Sequence, residues 1–168
     1  MKFGILTVSD RSTSGVREDL SGPVLARSVQ ESGWLVSQTA VVPDDFQAIV
    51  DVLTSWSDNG LCSVILTTGG VGFSPRDITP EATRAVIDRD APGLAEAMRA
   101  GSLQITPHAM LSRAVAGIRK KTLIINLPGN SKGALENFRL VVPVLVHAIQ
   151  LLEDDEQGEL GHHPGRAM

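Results

Sequence analysis

The chain has 168 residues, 42% of them hydrophobic, with 15 Lys and Arg against 19 Asp and Glu for a formal net charge of -4. That length suits one well-buried domain rather than two, and the absence of a basic stripe interleaved with aromatics excludes nucleic acid as the expected main partner. The single Cys62 lies in an apolar run, reads as a small buried hydrophobe and cannot close an internal disulfide, which suits a reducing cytoplasm.

In chain order, MKFGILTVSDRS reads as a first strand rather than a leader, and no stretch is expected to cross a membrane. A polar loop from Asp10 to Leu20 follows, then a helix opening at Pro23 with Ser21 or Gly22 as its cap and closing at Gly33. WLVSQTAVV reads as strand two, ended by Pro43; Asp44 or Asp45 caps a helix through FQAIVDVLTSW, and CSVILTT is strand three. Thr79-Pro80-Glu81 starts a helix with Thr79 as N-cap, running to about Arg89. Pro92 opens another helix, Thr106-Pro107 a short turn, and LSRAVAGI reads as a strand. Only Lys120-Lys121 separate that strand's end from TLIINLP, which implies an antiparallel hairpin in an otherwise parallel sheet. Ser131 caps a last helix that Pro143 kinks or divides. The expectation is one α/β domain over residues 1–152 with a mixed, mostly parallel sheet, and a polar, mobile tail over 153–168.

Open parallel sheets bind ligands outside the carboxyl ends of their strands, so the residues after each strand form one candidate rim. These are Ser9-Asp10-Arg11, Pro43-Asp44-Asp45, Gly69 to Asp77, and Pro128-Gly129-Asn130-Ser131. Gly69, Gly70 and Gly72 allow main-chain N–H groups to approach an anion, although Walker A and dinucleotide fingerprints are both absent. Asp77 has two readings from its residue type alone. It caps the local turn or pairs with Arg76, or it holds Mg²⁺ together with substrate phosphates. One of Asp44 and Asp45 should cap the helix and leave the other at the rim. The histidines share no ligand spacing, so no zinc site is expected.

Three separated stretches, SDRSTSGVREDLSGP, TTGGVGFSPRDITPEAT and ITPHAMLSRAVAGIRKKTLIINLPGN, closely resemble the molybdopterin adenylyltransferases (MogA) and the related G domains, gephyrin's among them. The resemblance implies a three-layer α/β/α sandwich that transfers AMP from MgATP to the terminal phosphate of molybdopterin and releases pyrophosphate. It implies that Asp77 serves the Mg²⁺–ATP chemistry and that Asp44 positions substrate. It puts Gly69, Gly70, Gly72, Arg76, Ser9 and Asp10 on the nucleotide side, and Pro128, Gly129, Asn130 and Ser131 on the pterin side. The implied partners are molybdopterin, ATP, further copies of the chain in a homotrimer, and a molybdenum-inserting protein to receive the product. Three alternatives stay open: a MoaB-like paralogue, a carrier or scaffold that binds the pterin without chemistry, and an α/β domain whose loops bind some other phosphate compound. Two positions depart from the family pattern: Val71 stands where a threonine is usual, and Ser131 where many members carry proline.

Overall fold

The computed structural model describes residues 1–153; the expected tail lies outside the described residues apart from Glu153. Strand β1 (Lys2–Val8) leads through a short helix α1 (Asp10–Thr13) to α2 (Ser21–Glu31), then β2 (Leu35–Val42), α3 (Phe46–Asp58) and β3 (Val64–Thr68). Helix α4 (Thr79–Val86), β4 (Arg89–Asp90), α5 (Pro92–Leu103), a 3₁₀ turn (Pro107–Leu111), β5 (Ala116–Arg119), β6 (Thr122–Leu127) and α6 (Ser131–Leu152) complete it. The sheet order is β2-β1-β3-β6-β5-β4. β2, β1, β3 and β6 run parallel, and β5 pairs antiparallel with both β6 and β4. The hairpin expected at Lys120 is present, with Lys120 at φ 51° in its turn.

Side chains alternate between the two faces of the strands, so each face carries its own core. Phe3, Ile5, Leu66 and Ile125 join α2, α5 and α6 through Leu25, Met98 and Phe138. Leu6, Val8, Ile65 and Ile124 join α3 and α4 through Leu53, Trp56 and Val86. The layers are therefore helix, sheet, helix. Full burial of each such aliphatic side chain contributes about 1.5–3 kcal/mol against chain entropy. Cys62 is buried in the second core, and burial pushes its thiol up.

Several boundaries differ from the sequence reading, each for a local reason. The carboxylate of Asp19 caps α2, accepting from the amides of Ser21 (3.1 Å) and Gly22 (3.0 Å), so the cap sits before the two residues expected to supply it. Thr79 lies inside α4, with Ile78 at the N-cap position, and its hydroxyl donates to the Gly69 carbonyl at 2.9 Å. Helix α4 stops at Val86 because Asp88 to Asp90 leave to pair with β5. Only the last three residues of LSRAVAGI, followed by Arg119, are strand. Asn130, not Ser131, caps α6, its Oδ1 accepting from the Gly133 amide at 2.7 Å. Ser131 is then the first helical residue, where proline is also well tolerated, and the departure from the family pattern changes no backbone requirement.

Pro143 does not divide α6. It is exposed, as is Arg139 one turn earlier, so the carbonyl that loses its helical partner faces solvent. Unbroken, α6 has the 22-residue length and mean hydropathy of 1.4 of a membrane span by composition, contrary to expectation. Its apolar content has another use here: Ala134, Phe138, Val141, Leu145 and Ile149 pack into the core.

Candidate active site

The carboxyl ends of β1, β3 and β6 are tied to one another before any ligand is considered. Thr68 donates from its hydroxyl to the Pro128 carbonyl at 2.7 Å, and the Gly69 amide donates to Leu127 O at 3.2 Å. Gly69 has φ 106°, and a Cβ there would lie 2.2 Å from Val8 O; a Cβ on Gly129 would lie 3.1 Å from Gly69 Cα. The two glycine turns thus touch backbone to backbone, which only residues without side chains permit. Because its amide is already committed, Gly69 serves by close approach rather than by presenting an N–H.

Two cavities open on this rim. The first, about 580 Å³, is lined by Ser9, Asp10, Asp44, Gly69, Arg76 and Ser131 among others. The second, about 680 Å³, takes Gly72 and Pro128 together with Val71, Arg99, His108 and Lys132. Gly70, Asp77, Gly129 and Asn130 line both. Asp44, Asp77 and every residue assigned to the nucleotide or pterin side therefore border one cavity or the other, whereas Pro43 and Asp45 of the candidate rim border neither. The two glycine motifs do not divide between them, since each contributes to both.

The carboxylates are held by specific partners. Asp45 caps α3, accepting from the Ala48 amide at 2.9 Å, and leaves Asp44 at the rim. Asp44 and Asp10 exchange reciprocal bonds, Asp10 N to Asp44 Oδ2 at 2.9 Å and Asp44 N to Asp10 Oδ1 at 3.0 Å. Asp10 also receives both arms of Arg76, at 2.9 Å each. Arg76 therefore pairs with Asp10 and not with Asp77. That pair is exposed, so trading one anionic partner for another costs little. Asp77 does cap its turn, Oδ2 accepting from the Ser74 amide at 3.2 Å, while lining both cavities. Burial pushes the Asp44 carboxyl above its usual value of 3.8, and the neighbouring carboxylates of Asp10 and Asp77 add to this, against the Asp10 amide and Arg76.

Several residues escaped the sequence reading. Arg17 and Asp19 line the first cavity beside Arg11 of the candidate rim, in a segment read only as a polar loop. Arg99 and Lys132 line the second from helices. Arg113 reaches the glycine loop from outside both cavities, donating to the carbonyls of Gly72 and Asp77 at 2.7 Å each. Asn126, buried in β6, donates to Thr67 and Thr83 hydroxyls at 2.9 Å each and locks α4 to the sheet. The stretches quoted for the resemblance contain Arg17, Asp19, Arg113 and Asn126, so the signal was present without a reason to single them out.

Known proteins share this sequence pattern and fold. The family described as "Probable molybdopterin binding domain" matches residues 4–147. This chain belongs to that family. It is 42% identical to a molybdopterin adenylyltransferase of Helicobacter pylori J99, with 89% of this chain and 86% of the relative aligned. It is also 42% identical to gephyrin of Dictyostelium discoideum over 94% of this chain, but it spans only 23% of that longer relative. Among solved structures, the molybdopterin biosynthesis enzyme MoaB of Thermus thermophilus aligns with a TM-score of 0.86 at 47% identity, covering 92% of this chain and 97% of that one. The family's expected α/β sandwich with its mixed sheet is the fold described above.

Proposed function

We propose that this chain acts in molybdenum cofactor biosynthesis as a molybdopterin adenylyltransferase. The observation that carries the reading is the pair of adjoining cavities sharing Gly70, Asp77, Gly129 and Asn130. Group transfer between two anions needs two adjacent pockets and a junction where their phosphates meet. The terminal phosphate oxygen of molybdopterin attacks the α-phosphorus of ATP, the bond from that phosphorus to the β-phosphate oxygen breaks, and pyrophosphate leaves. The nucleophile is already an anion, so alignment and charge neutralisation outweigh proton abstraction.

In this reading ATP occupies the first cavity, against Ser9, Asp10, Gly69 and Arg76, and the pterin the second, beside Pro128, Gly129 and Asn130. Asn130 and Ser131 open α6, whose N-terminal end favours negative charge. Asp77 and Asp44 would hold Mg²⁺. The donor set suits that ion: no cluster of three or more His, Cys, Asp or Glu among the described residues forms a complete cage, and Mg²⁺ takes one or two carboxylates plus phosphate oxygens and water. The crowding of Asp44 by Asp10 and Asp77 also leaves an excess of negative charge for a cation to offset. Held there, the ion would supply stabilisation of the charge on the leaving pyrophosphate.

Incubation with molybdopterin and MgATP should yield adenylated pterin and pyrophosphate in equal amounts, and far less of both with Asp77→Asn. A second reading, a MoaB-like paralogue or a carrier that binds pterin without transferring AMP, is favoured by the 47% identity to MoaB. It expects pterin binding with no pyrophosphate. The proposal extends to residues 1–152 as one catalytic unit, a cytoplasmic setting, delivery of the product to a molybdenum-inserting protein, and a homotrimer. Leu140 and Val144, exposed on α6 beside Leu94 and Ala97, support the last by offering an apolar contact surface; a monomeric mass in sedimentation would remove it.

A further inference from the structure

The loop between β3 and α4 carries Asp77 to the junction of the cavities, yet residues 70–78 contain no helix or strand. Phe73 and Arg76 stand largely in solvent. Within this segment Asp77 bonds to Ser74, Oδ2 accepting from the Ser74 amide at 3.2 Å and the Asp77 amide donating to Ser74 O at 2.9 Å, and Arg76 ties the loop to Asp10 through an exposed pair. A further, half-buried tie comes from Arg113, in the segment between the 3₁₀ turn and β5. Its amide donates to Val71 O at 2.8 Å, its Nε to Gly72 O at 2.7 Å and its Nη2 to Asp77 O at 2.7 Å. Its Nη1 meets Glu81 Oε1 in the first turn of α4. One residue therefore binds both ends of the loop and the helix that follows.

The geometry is demanding. A Cβ on Gly72 would lie 2.8 Å from Asp77 Oδ2, so the loop's start and the carboxylate at its end are nearly in contact. A shift between the two carbonyls that Arg113 holds becomes a shift of that carboxylate. A planar guanidinium offers fixed donors in several directions at once; a lysine ammonium offers a point charge. The second oxygen of Glu81 is buried and has no hydrogen-bond partner, so Arg113 is the group that balances this carboxylate at the loop's base.

We propose that Arg113 is a positioning residue for the transfer, a guanidinium hub that fixes Asp77 at the junction of the two cavities through the carbonyls of Gly72 and Asp77 and the carboxylate of Glu81. The proposal rests on the adenylyl-transfer reading above. Arg113→Lys should fold with a melting temperature near that of the wild type and lose about 10–100-fold in kcat, the scale of an ångström-sized misplacement, while KM for MgATP changes less. In Arg113→Ala, millimolar guanidinium ion should restore part of the lost kcat, and equal concentrations of sodium or ammonium should not. Hydrogen exchange should quicken at residues 72–78 and stay unchanged in the strands. Glu81→Gln, which keeps the shape and removes the charge, should shift kcat in the same direction by less and serves if the Arg113 variants fail to fold. Unchanged kcat in Arg113→Lys, or a loss that only tracks falling thermal stability with no rescue, would overturn the proposal. A wild-type protein that makes no adenylated pterin sinks the functional reading instead; unchanged exchange at 72–78 in the variants then overturns the hub as well, and quickened exchange sustains it.

Discussion

At the carboxyl edge of the strands, Asp44 stands with Asp10 and Asp77, and burial with these neighbours holds its acid above 3.8. At the opposite edge, Asp58 at the end of α3 receives Arg119 at 2.7 Å and Lys120 at 2.8 Å, and its carboxyl falls to about 2. The same side chain is thus strained toward neutrality at one end and satisfied at the other. The two contribute to stability with opposite signs. Asp58, with its native value depressed, stabilises fully above 3.8 and loses that contribution as pH falls toward about 2. Asp44, with its native value raised, favours the fold when protonated, and that contribution is lost as pH rises through its raised value. Crowded carboxylates of this kind collect where a ligand is to be bound.

Substitutions at the two edges should separate function from stability. The largest expected effect is at the junction: Asp77→Asn should leave the melting temperature nearly unchanged and reduce adenylated-pterin formation by roughly 100-fold or more, the scale of losing one preorganised charge contact. Next, Asp44→Asn should lower turnover by about 10-fold or more and yet melt slightly higher than the wild type at pH 8, because the unfavourable buried charge is gone. A lower melting temperature with full activity would reverse the contrast between the edges. Asp58→Asn should do the opposite of Asp44→Asn, melting a few degrees lower at neutral pH with turnover intact. That penalty should shrink as the pH approaches about 2 and Asp58 itself loses its charge. Smallest is Val71→Thr. Val71 is buried, and the group that Arg113 binds there is its carbonyl, so restoring the family's hydroxyl should alter turnover by less than about threefold. A large gain in steady-state assays would show that the hydroxyl itself contributes.

How far the sequence carried depends on whether a feature is local. Apolar runs and their Pro, Gly and Asp punctuation located β1, β2, β3 and β6 and the hairpin, because β1, β3 and β6 are buried on both faces, the edge strand β2 is rich in valine, and recognisable turns join them. Caps were misplaced by one or two residues at Asp19 and Asn130, since neighbouring polar residues compete for the same amides. The two-residue β4 has no pattern of its own and forms only because β5 offers an edge. At the site, strand-end logic found the rim residues, and Asp45 as the helix cap left Asp44 free as expected. It missed the partnership of Arg76 with Asp10, 66 residues apart, and the reach of Arg113 across 36 residues to Asp77. Contacts of that span leave no mark in local spacing.

The most direct test of transfer at the Asp77 junction follows the phosphorus. With ATP labelled at its α-phosphate, the expected result is label moving into the pterin product in step with pyrophosphate release, and only when molybdopterin is present. In a parallel reaction, label at the γ-phosphate should appear wholly in pyrophosphate. An α-label that stays in ATP while molybdopterin is bound, or that leaves as free AMP without entering the pterin, would contradict it.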